Sequence, residues 1–576
     1  VSIPAINRVA SICRQKGLDQ VVLCPGSRCA PLTLAFAREP GVTVRTFSDE
    51  RSAGFIALGM ARQLGRPVVL VCTSGTAAYN FAPAIAEAYF SEVPLVVFTA
   101  DRPREWIAQH DGQTIFQPRM FGAHVKASVE LPQEYAHADD EWAINRIVND
   151  AINAATEPMA GPVHINVPLR EPLYPGQRPE EPATTSLPRA IEVMPSSNAL
   201  SDADADVLMK RLNHFNNILI VAGQCEPDHE LVRLVDNVCS SMHIPFVAEI
   251  TGNFHGAAHV IRHTDVFLGA ASQDLKKSLQ PDLLVTLGRG LVSRHLKTFL
   301  RQFPAIEHWH IQPAGHVADT YKNLTTIVRT TPLHFFTRLA GRQEEESFER
   351  QKQRNYFNLW EIEERRTRAD IEDYFAAGGH GELELVERVL RGLPQGCNLH
   401  LANSLSVRYA NFAGLPPDRA DVNVFANRGT SGIDGCTSTA VGHALCGTEM
   451  NVLITGDVAF FYDRNAFWHN YNVPNLRVVL LNNHGGAIFT VVDGAGDLPE
   501  TEELFVTRQT LNARKLCEEF GFEYIPLDNK RKITNALKDF FDSEGGTRIM
   551  EIETSATVAR EALNRFRQHA KRRYEK

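Results

Sequence analysis

The chain reads as an α/β protein built from three doubly wound parallel-sheet domains, and three observations predict this. Short β-branched runs alternate with amphipathic helical stretches. The runs are near-continuously apolar, not alternating, as expected of strands covered on both faces. The alternation also breaks twice, near 172–200 and near 344–373, which leaves three segments of similar size. A length of 576 residues is several times that of one globular core, and 44% hydrophobic residues are enough to fill several.

In the first segment strands are predicted at 21–26, 42–47, 68–75, 94–100 and 163–168, with helices over 50–65 and 76–90. Residues 172–200, rich in Pro, Glu, Ser and Thr, are expected to be a linker. The second segment has strands at 217–223, 244–250, 283–288 and 307–313 and a helix near 228–242. The charged run 344–373 predicts an exposed joining helix. The third has strands at 397–403, 421–427, 450–457, 476–483 and 548–554. The expected domains are 1–175, 200–343 and 380–576, three similar α/β segments that suggest an ancient triplication. Ligands of such sheets bind beyond the carboxyl ends of the strands, so residues just after each strand carry the functional signal.

Bulk properties exclude several classes. The charge sum of −9 argues against non-specific nucleic-acid binding, so any anionic ligand must be held by local arginines. Ten scattered cysteines without a C-x-x-C pair point to thiols in a reducing compartment, not to a disulfide framework or zinc site. No run approaches 18 apolar residues and no signal-peptide h-region is read at the N-terminus, so no membrane span and a cytoplasmic location are expected.

Two strand ends in the last segment carry the sharpest pattern. One delivers Gly456-Asp457 and the next delivers Asn482-Asn483, followed by Gly485-Gly486, with 26 residues from Asp457 to Asn483. A carboxylate and an amide at adjacent strand ends supply the few rigid oxygens that magnesium takes while phosphate and water fill its octahedron. Gly456 would let backbone approach the phosphates. Each half alone reads equally as a helix N-cap or a turn; together, at this spacing, they favour a metal–diphosphate site.

This pattern resembles the G-D-G…N-N signature of thiamine-diphosphate enzymes, with Val458 in place of the usual third glycine. The resemblance implies thiamine diphosphate with Mg²⁺ (or Mn²⁺), and Asp457, Asn483 and Gly485 as metal ligands. It also requires a glutamate whose carboxyl hydrogen-bonds the pyrimidine nitrogen, a role helped by burial that raises its pKa. Glu50, just after the second strand, is the candidate; read alone it is an N-terminal helix residue beside a Ser48 or Asp49 cap. The Gly75 loop and the following helix resemble the segment that accompanies this glutamate. Ile433 is the candidate apolar wedge under a bent cofactor, or else a core isoleucine beside a turn.

The blocks PGSRCAPLTLA (25–35), SDERSAGFIALG (48–59), TSGTAAYNFAPAIAEA (73–88), TADRPRE (99–105), ANSLSVR (402–408), NRGTSGIDG (427–435) and NNHGGAIF (482–489) narrow the likeness. Together they resemble the 2-succinyl-5-enolpyruvyl-6-hydroxy-3-cyclohexene-1-carboxylate synthase family, in which an aliphatic residue follows the G-D. The resemblance implies decarboxylation of 2-oxoglutarate and Stetter-like addition to isochorismate, in menaquinone biosynthesis. Both substrates are dianions, which guanidinium groups hold in bidentate geometry. It places substrate roles on Arg28, Arg102, Arg408 and Arg428, with Gln113 and Ser404 as polar neighbours and Ser27 on the cofactor side. In the segment 286–297 Arg294 matches one of a basic pair, and His295 stands where a second base is usual, weakening that charge near neutral pH. Gly112 replaces an asparagine found in some members. A homodimer or homotetramer with the site shared between subunits is also implied, with a structural middle domain.

Three other readings compete. An acetohydroxyacid-synthase-like carboligase shares the cofactor motifs but takes small, mostly monoanionic 2-oxoacids, which the arginine set does not favour. A dinucleotide-binding protein lacks the needed G-x-G-x-x-G after a strand. A non-catalytic paralogue is opposed by the intact Glu50, Asp457 and Asn483.

Overall fold

The structure is a computed structural model that describes residues 4–134, 137–174, 187–194, 199–341, 348–378, 381–491, 496, 498–527 and 533–575. Much of the predicted 172–200 linker and the start of the 344–373 helix lie outside these residues. The chain divides into two compact units. Among the described residues its strands form three six-stranded parallel sheets, and no helix is long and apolar enough to cross a membrane.

The first unit holds residues 1–195, 427–448 and 459–476. Its strands are β1 (Gln20–Leu23), β2 (Thr43–Thr46), β3 (Val68–Cys72), β4 (Leu95–Asp101), β5 (Ser128–Glu130) and β6 (Val163–Pro168), in the order β2-β1-β3-β4-β6-β5. Every residue of β3, β4 and β6 is buried, which is why these strands read as unbroken apolar runs. The helix Glu50–Leu64 starts on Asp49, whose carboxylate accepts from the Arg51 and Ser52 amides, and ends at Gly65 in the left-handed region. Between those caps Ser52–Ala61 is wholly buried. So is the helix Cys436–Ala444 packed against it. The two cross glycine on glycine. A Cβ on Gly59 would lie 2.1 Å from the Thr439 carbonyl, and one on Gly442 2.1 Å from that of Ile56. Asp463, fully buried, pins this arrangement by accepting from Ser438 N and Oγ, each at 2.7 Å.

The second unit holds residues 196–426, 449–458 and 477–576 and carries the other two sheets. The middle sheet comprises β7 (Ile218–Ala222), β8 (Phe246–Ala248), β9 (Val260–Ile261), β10 (Leu283–Leu287), β11 (Glu307–Ile311) and β12 (Thr326–Val328), in the order β12-β11-β10-β7-β8-β9. The last comprises β13 (Asn398–Leu401), β14 (Asn423–Phe425), β15 (Asn451–Gly456), β16 (Leu476–Asn482), β17 (Glu523–Pro526) and β18 (Arg548–Glu553), in the order β14-β13-β15-β16-β18-β17. The first and last sheets thus share one strand order, while the middle one has the dinucleotide-fold order. Three similar segments are therefore two of one topology and one of another. The two sheets of this unit join through the Asn253 side chain, which exchanges bonds of 3.0 and 2.8 Å with the Val424 backbone of edge strand β14.

The helix Phe348–Ala377 departs from its prediction. It is not simply exposed: Trp360 is fully buried, and Phe357, Ile371 and Tyr374 are buried on the same helix. Glu364 is buried too, paired with His263 Nδ1 at 2.7 Å, and that partner holds its carboxyl down to about 2 despite the burial. The dense charge pattern hid an apolar stripe.

Two predictions follow from the packing of the first unit. Replacing Gly442 by Ala forces a methyl into a backbone carbonyl and should cost about 1–3 kcal/mol or more, read as a lowered melting temperature. Burial pushes the Asp463 carboxyl up to about 7 against the opposing Ser438 bonds. The folded state therefore holds that proton longer than the unfolded chain. Its contribution is present below the unfolded carboxylate range and is lost as pH rises to about 7. In Asp463→Asn, a pH series of melting curves should lose that part of the decline.

Candidate active site

In the first unit the strand order reverses between β1 and β3, so the crevice for a ligand opens beyond those two ends. The loops there carry Ser27, Arg28 and Gly75. Ser27 is exposed and Arg28 buried. Glu50, half-buried at the first turn of its helix, shares the electrostatic environment of Cys24 and Cys72 at the same strand ends. Desolvation pushes its carboxyl up, and the neighbouring Asp49 charge adds to this, while its own backbone N–H opposes it. The group is set to retain a proton.

Gly75 has φ +85° and ψ −144°, a conformation that glycine adopts without strain. A Cβ there would meet the Gln113 backbone at 3.2 Å. Its N–H donates to Gln117 Oε1 at 2.9 Å, and Gln117 Nε2 donates to Ala100 O and Asn166 Oδ1, each at 3.0 Å. Fully buried Gln117, which sequence reasoning missed, thus fixes the loop. Arg102 closes the same corner, donating from Nη2 to Gly112 O at 2.7 Å and pairing through Nε with Asp111 at 3.0 Å. Arg28 donates to Leu169 O at 2.9 Å and to Glu171 Oε1 at 3.2 Å, and Arg102 Nη1 lies 3.9 Å from that same oxygen. The mostly exposed Glu171 carboxylate therefore rests against both arginines. The structure brings Arg28, Arg102, Gln113 and Gly75 into one corner.

Arg428 and Ile433 belong to the loop of the same unit that ends at Gly435. The buried Glu87 carboxylate fastens it, accepting from Gly429 N at 2.8 Å and from Thr430 N and Oγ1, each at 2.7 Å. Ile433 is half-exposed and not among the buried core side chains, which does not suit a core isoleucine.

In the second unit the last sheet reverses between β13 and β15. Ser404 follows β13 with φ +75° and ψ −126°, strained for a residue with a side chain, and Arg408 donates to its carbonyl. Asp457 follows β15 and is buried; burial pushes its carboxyl up, against hydrogen bonds from Gln509 and from the Val458 and Gly485 amides. Gln509 Nε2 lies 2.7 Å from Asp457 Oδ2 and 3.2 Å from Asn482 Oδ1. The buried Asn483 donates from Nδ2 to the fully buried Glu382 at 3.0 Å, and its Oδ1 has no hydrogen-bond partner among the described residues. Gly485 has φ +154°, and a Cβ there would meet Val506 O at 2.6 Å; one on Gly456 would meet nothing within 4 Å. The space beside Gly456 is thus open. No cluster of three His, Cys, Asp or Glu among the described residues could hold a metal, so a cation here must use amide and carbonyl oxygens beside Asp457.

Arg294 and Arg408 line a cavity of about 330 Å³ within this unit, with His295 beside them. Asp265 Oδ1 accepts from Ser293 Oγ and, at 3.0 Å, from His295 N, and Glu249 accepts from the Val292 and Ser293 amides. These carboxylates build the turn that presents Arg294. Burial lowers the His295 pKa; the Asp265 charge opposes this, and Arg567, Lys276 and Arg294 add to it.

At the middle sheet's own reversal, between β7 and β10, the crevice is filled. Arg289 N donates to Gln224 O at 2.9 Å, and a Cβ on Gly223 would lie 1.7 Å from Arg289 O. This leaves no room for a dinucleotide's phosphates beyond those ends. All ten cysteines are free, as expected.

Comparison with known proteins gives the same picture. Residues 5–120 match the family described as thiamine pyrophosphate enzyme, N-terminal TPP binding domain. The chain is similar to proteins named 2-succinyl-5-enolpyruvyl-6-hydroxy-3-cyclohexene-1-carboxylate synthase. One from Cytophaga hutchinsonii is 43% identical over 99% of both chains. One from Bacteroides fragilis is 39% identical over 96% of both, and one from Flavobacterium psychrophilum 36% identical over 96% of this chain and 97% of its own. Full-length likeness at this level, added to the motif blocks and to the strand-end sites they fold into, establishes that the chain belongs to the 2-succinyl-5-enolpyruvyl-6-hydroxy-3-cyclohexene-1-carboxylate synthase family of thiamine-diphosphate enzymes.

Proposed function

We propose that the chain decarboxylates 2-oxoglutarate and joins the remaining unit to isochorismate by conjugate addition. The products are 2-succinyl-5-enolpyruvyl-6-hydroxy-3-cyclohexene-1-carboxylate and CO₂, in menaquinone biosynthesis. The observation that carries this reading is the 43% identity over 99% of both chains, which leaves no domain of that synthase unmatched. When bound, thiamine diphosphate supplies the electron sink on which a 2-oxoacid loses CO₂.

Each site residue then has a role that its surroundings support. Glu50, whose carboxyl desolvation pushes up, shares a proton with the pyrimidine nitrogen. Asp457, Asn483 Oδ1 and Gly485 hold Mg²⁺ (or Mn²⁺) with the diphosphate; the unpartnered buried Asn483 oxygen and the open space at Gly456 fit that use. Glu382, a buried acceptor, turns the Asn483 amide so that Nδ2 faces inward and Oδ1 is presented. Ser27, Gly75 and Ile433 contact the cofactor. Arg28, Arg102, Gln113, Arg294, Ser404, Arg408 and Arg428 receive the substrates. The Glu171 carboxylate against Arg28 and Arg102 supports carboxylate binding there, since the pair already faces one carboxylate oxygen. The reading carries with it domains at 1–175, 200–343 and 380–576, a homodimer or homotetramer with shared sites, and a cytoplasmic enzyme. A mixture of 2-oxoglutarate, isochorismate, Mg²⁺ and cofactor should lose isochorismate; turnover of pyruvate instead would favour an acetohydroxyacid-synthase-like activity.

Two variants separate the roles. Glu50→Gln should lower turnover by about 10²–10⁴-fold while calorimetry finds cofactor binding little changed. Glu382→Leu should weaken Mg²⁺ binding by about 10–100-fold, whereas Glu382→Gln, which keeps an acceptor for Asn483, should stay near the parent.

A further inference from the structure

The 330 Å³ cavity of the second unit has a wall that no motif block predicts. The C-terminal helix Ala556–Lys571 presents Leu563, Phe566, Arg567, Ala570 and Lys571 to it, a single stripe at helical spacing. Arg567 and Lys571 stand four residues apart and so project from one face. Across the cavity are Arg294 and Arg408. Four cations therefore face one space with a single carboxylate among its lining residues. That carboxylate, Asp265, already accepts from Ser293 Oγ and the His295 amide. Apart from His295 the rest of the wall is apolar, including Val266, Ala270, Phe412 and Ile488. The volume falls in the range of small-molecule sites, about 300–1,000 Å³.

A cationic rim over an apolar floor suits a compact carbon ring bearing carboxylates better than a flexible, fully polar chain. We propose that Arg567 and Lys571 are carboxylate-binding residues that complete, with Arg294 and Arg408, a clamp for the ring-bearing substrate. This rests on the reading given under Proposed function and adds to it a role for the C-terminal helix. It also accounts for His295. Burial and the neighbouring cations, Arg567 among them, push the imidazole pKa down, and Arg567 supplies a permanent charge in the same cavity. Arg567 Nη1 reaches the Val491 carbonyl at 3.4 Å, a long contact that a carboxylate would readily displace.

The test uses the full-length enzyme with cofactor and Mg²⁺, and steady-state kinetics in which each substrate is varied in turn. Arg567→Ala should raise the KM for isochorismate by about tenfold or more, the loss of one charge-assisted bond. The KM for 2-oxoglutarate and the binding of cofactor should stay within about twofold of the parent. Arg567→Lys should recover part of the loss, and the double change with Lys571→Ala should deepen it. Arg565→Ala on the same helix, outside the cavity lining, controls for helix stability, with melting temperatures measured for all. An unchanged KM for isochorismate in Arg567→Ala overturns the proposal. So does a loss that Arg565→Ala reproduces, or one that falls on 2-oxoglutarate instead. If the parent enzyme consumes no isochorismate at all, the functional reading fails first and the proposal with it.

Discussion

Asp457 lies buried at the carboxyl end of β15, and the groups facing its charge are hydrogen-bond donors: the Gln509 amide and the Val458 and Gly485 backbone. Burial pushes its carboxyl up against those donors, and no positive charge is among them. Glu50 meets the same force at the end of β2, with less burial and its own backbone as the opposing group. The proposed chemistry needs these two carboxyls in opposite states, one keeping a proton and the other keeping a charge. Desolvation, with the Asp49 charge beside it, pushes Glu50 the way its role needs. In the proposed chemistry Asp457 would be balanced by a cation, and the Asn483 oxygen, without a hydrogen-bond partner among the described residues, suits the complementary half of that site. Two carboxyls with one perturbation can thus take different roles, set by what stands opposite them.

Strand order determines where those groups can sit. The first and last sheets share one order, and in each the reversal leaves a crevice whose lining loops hold the candidate residues. The middle sheet has the order best known for binding dinucleotides, yet its crevice is closed by its own backbone between Gly223 and Arg289. Fold alone would have placed a ligand there; the local packing removes it. The middle sheet contributes Arg294 to the cavity, on a turn held by Glu249 and Asp265, and contributes no crevice of its own.

The strand and motif pattern was legible in the sequence because buried parallel strands are continuous apolar runs and strand-end glycines and carboxylates stand out after them. What escaped detection has consistent physical causes. The four unpredicted strands, β5, β9, β12 and β17, are all sheet edges of two to four residues, too short to show a run and covered on one side only. Gln117, Gln509, Glu382 and Glu171 act on residues far away in sequence, and no spacing within their own segments points to those partners. The strain at Ser404 is a matter of backbone angle, invisible in residue type. The charged helix Phe348–Ala377 conceals Trp360 because its apolar positions are sparse among acids and arginines. Val458 shows the reverse case: it broke the general signature yet matched the family, and the full-length relatives agree with the family.

Glu50 and Asp457 belong to different units of the chain, and in the proposed enzyme one catalytic site draws Glu50 from one chain and Asp457 from another. The most direct test is complementation. Glu50→Gln and Asp457→Ala chains, each inactive alone, are co-expressed with different tags, and the mixed oligomer is isolated through both. The account predicts that activity returns, because one shared site in each mixed dimer combines an intact Glu50 with an intact Asp457. A mixed dimer as inactive as its parents would contradict it and place both groups of each site within a single chain.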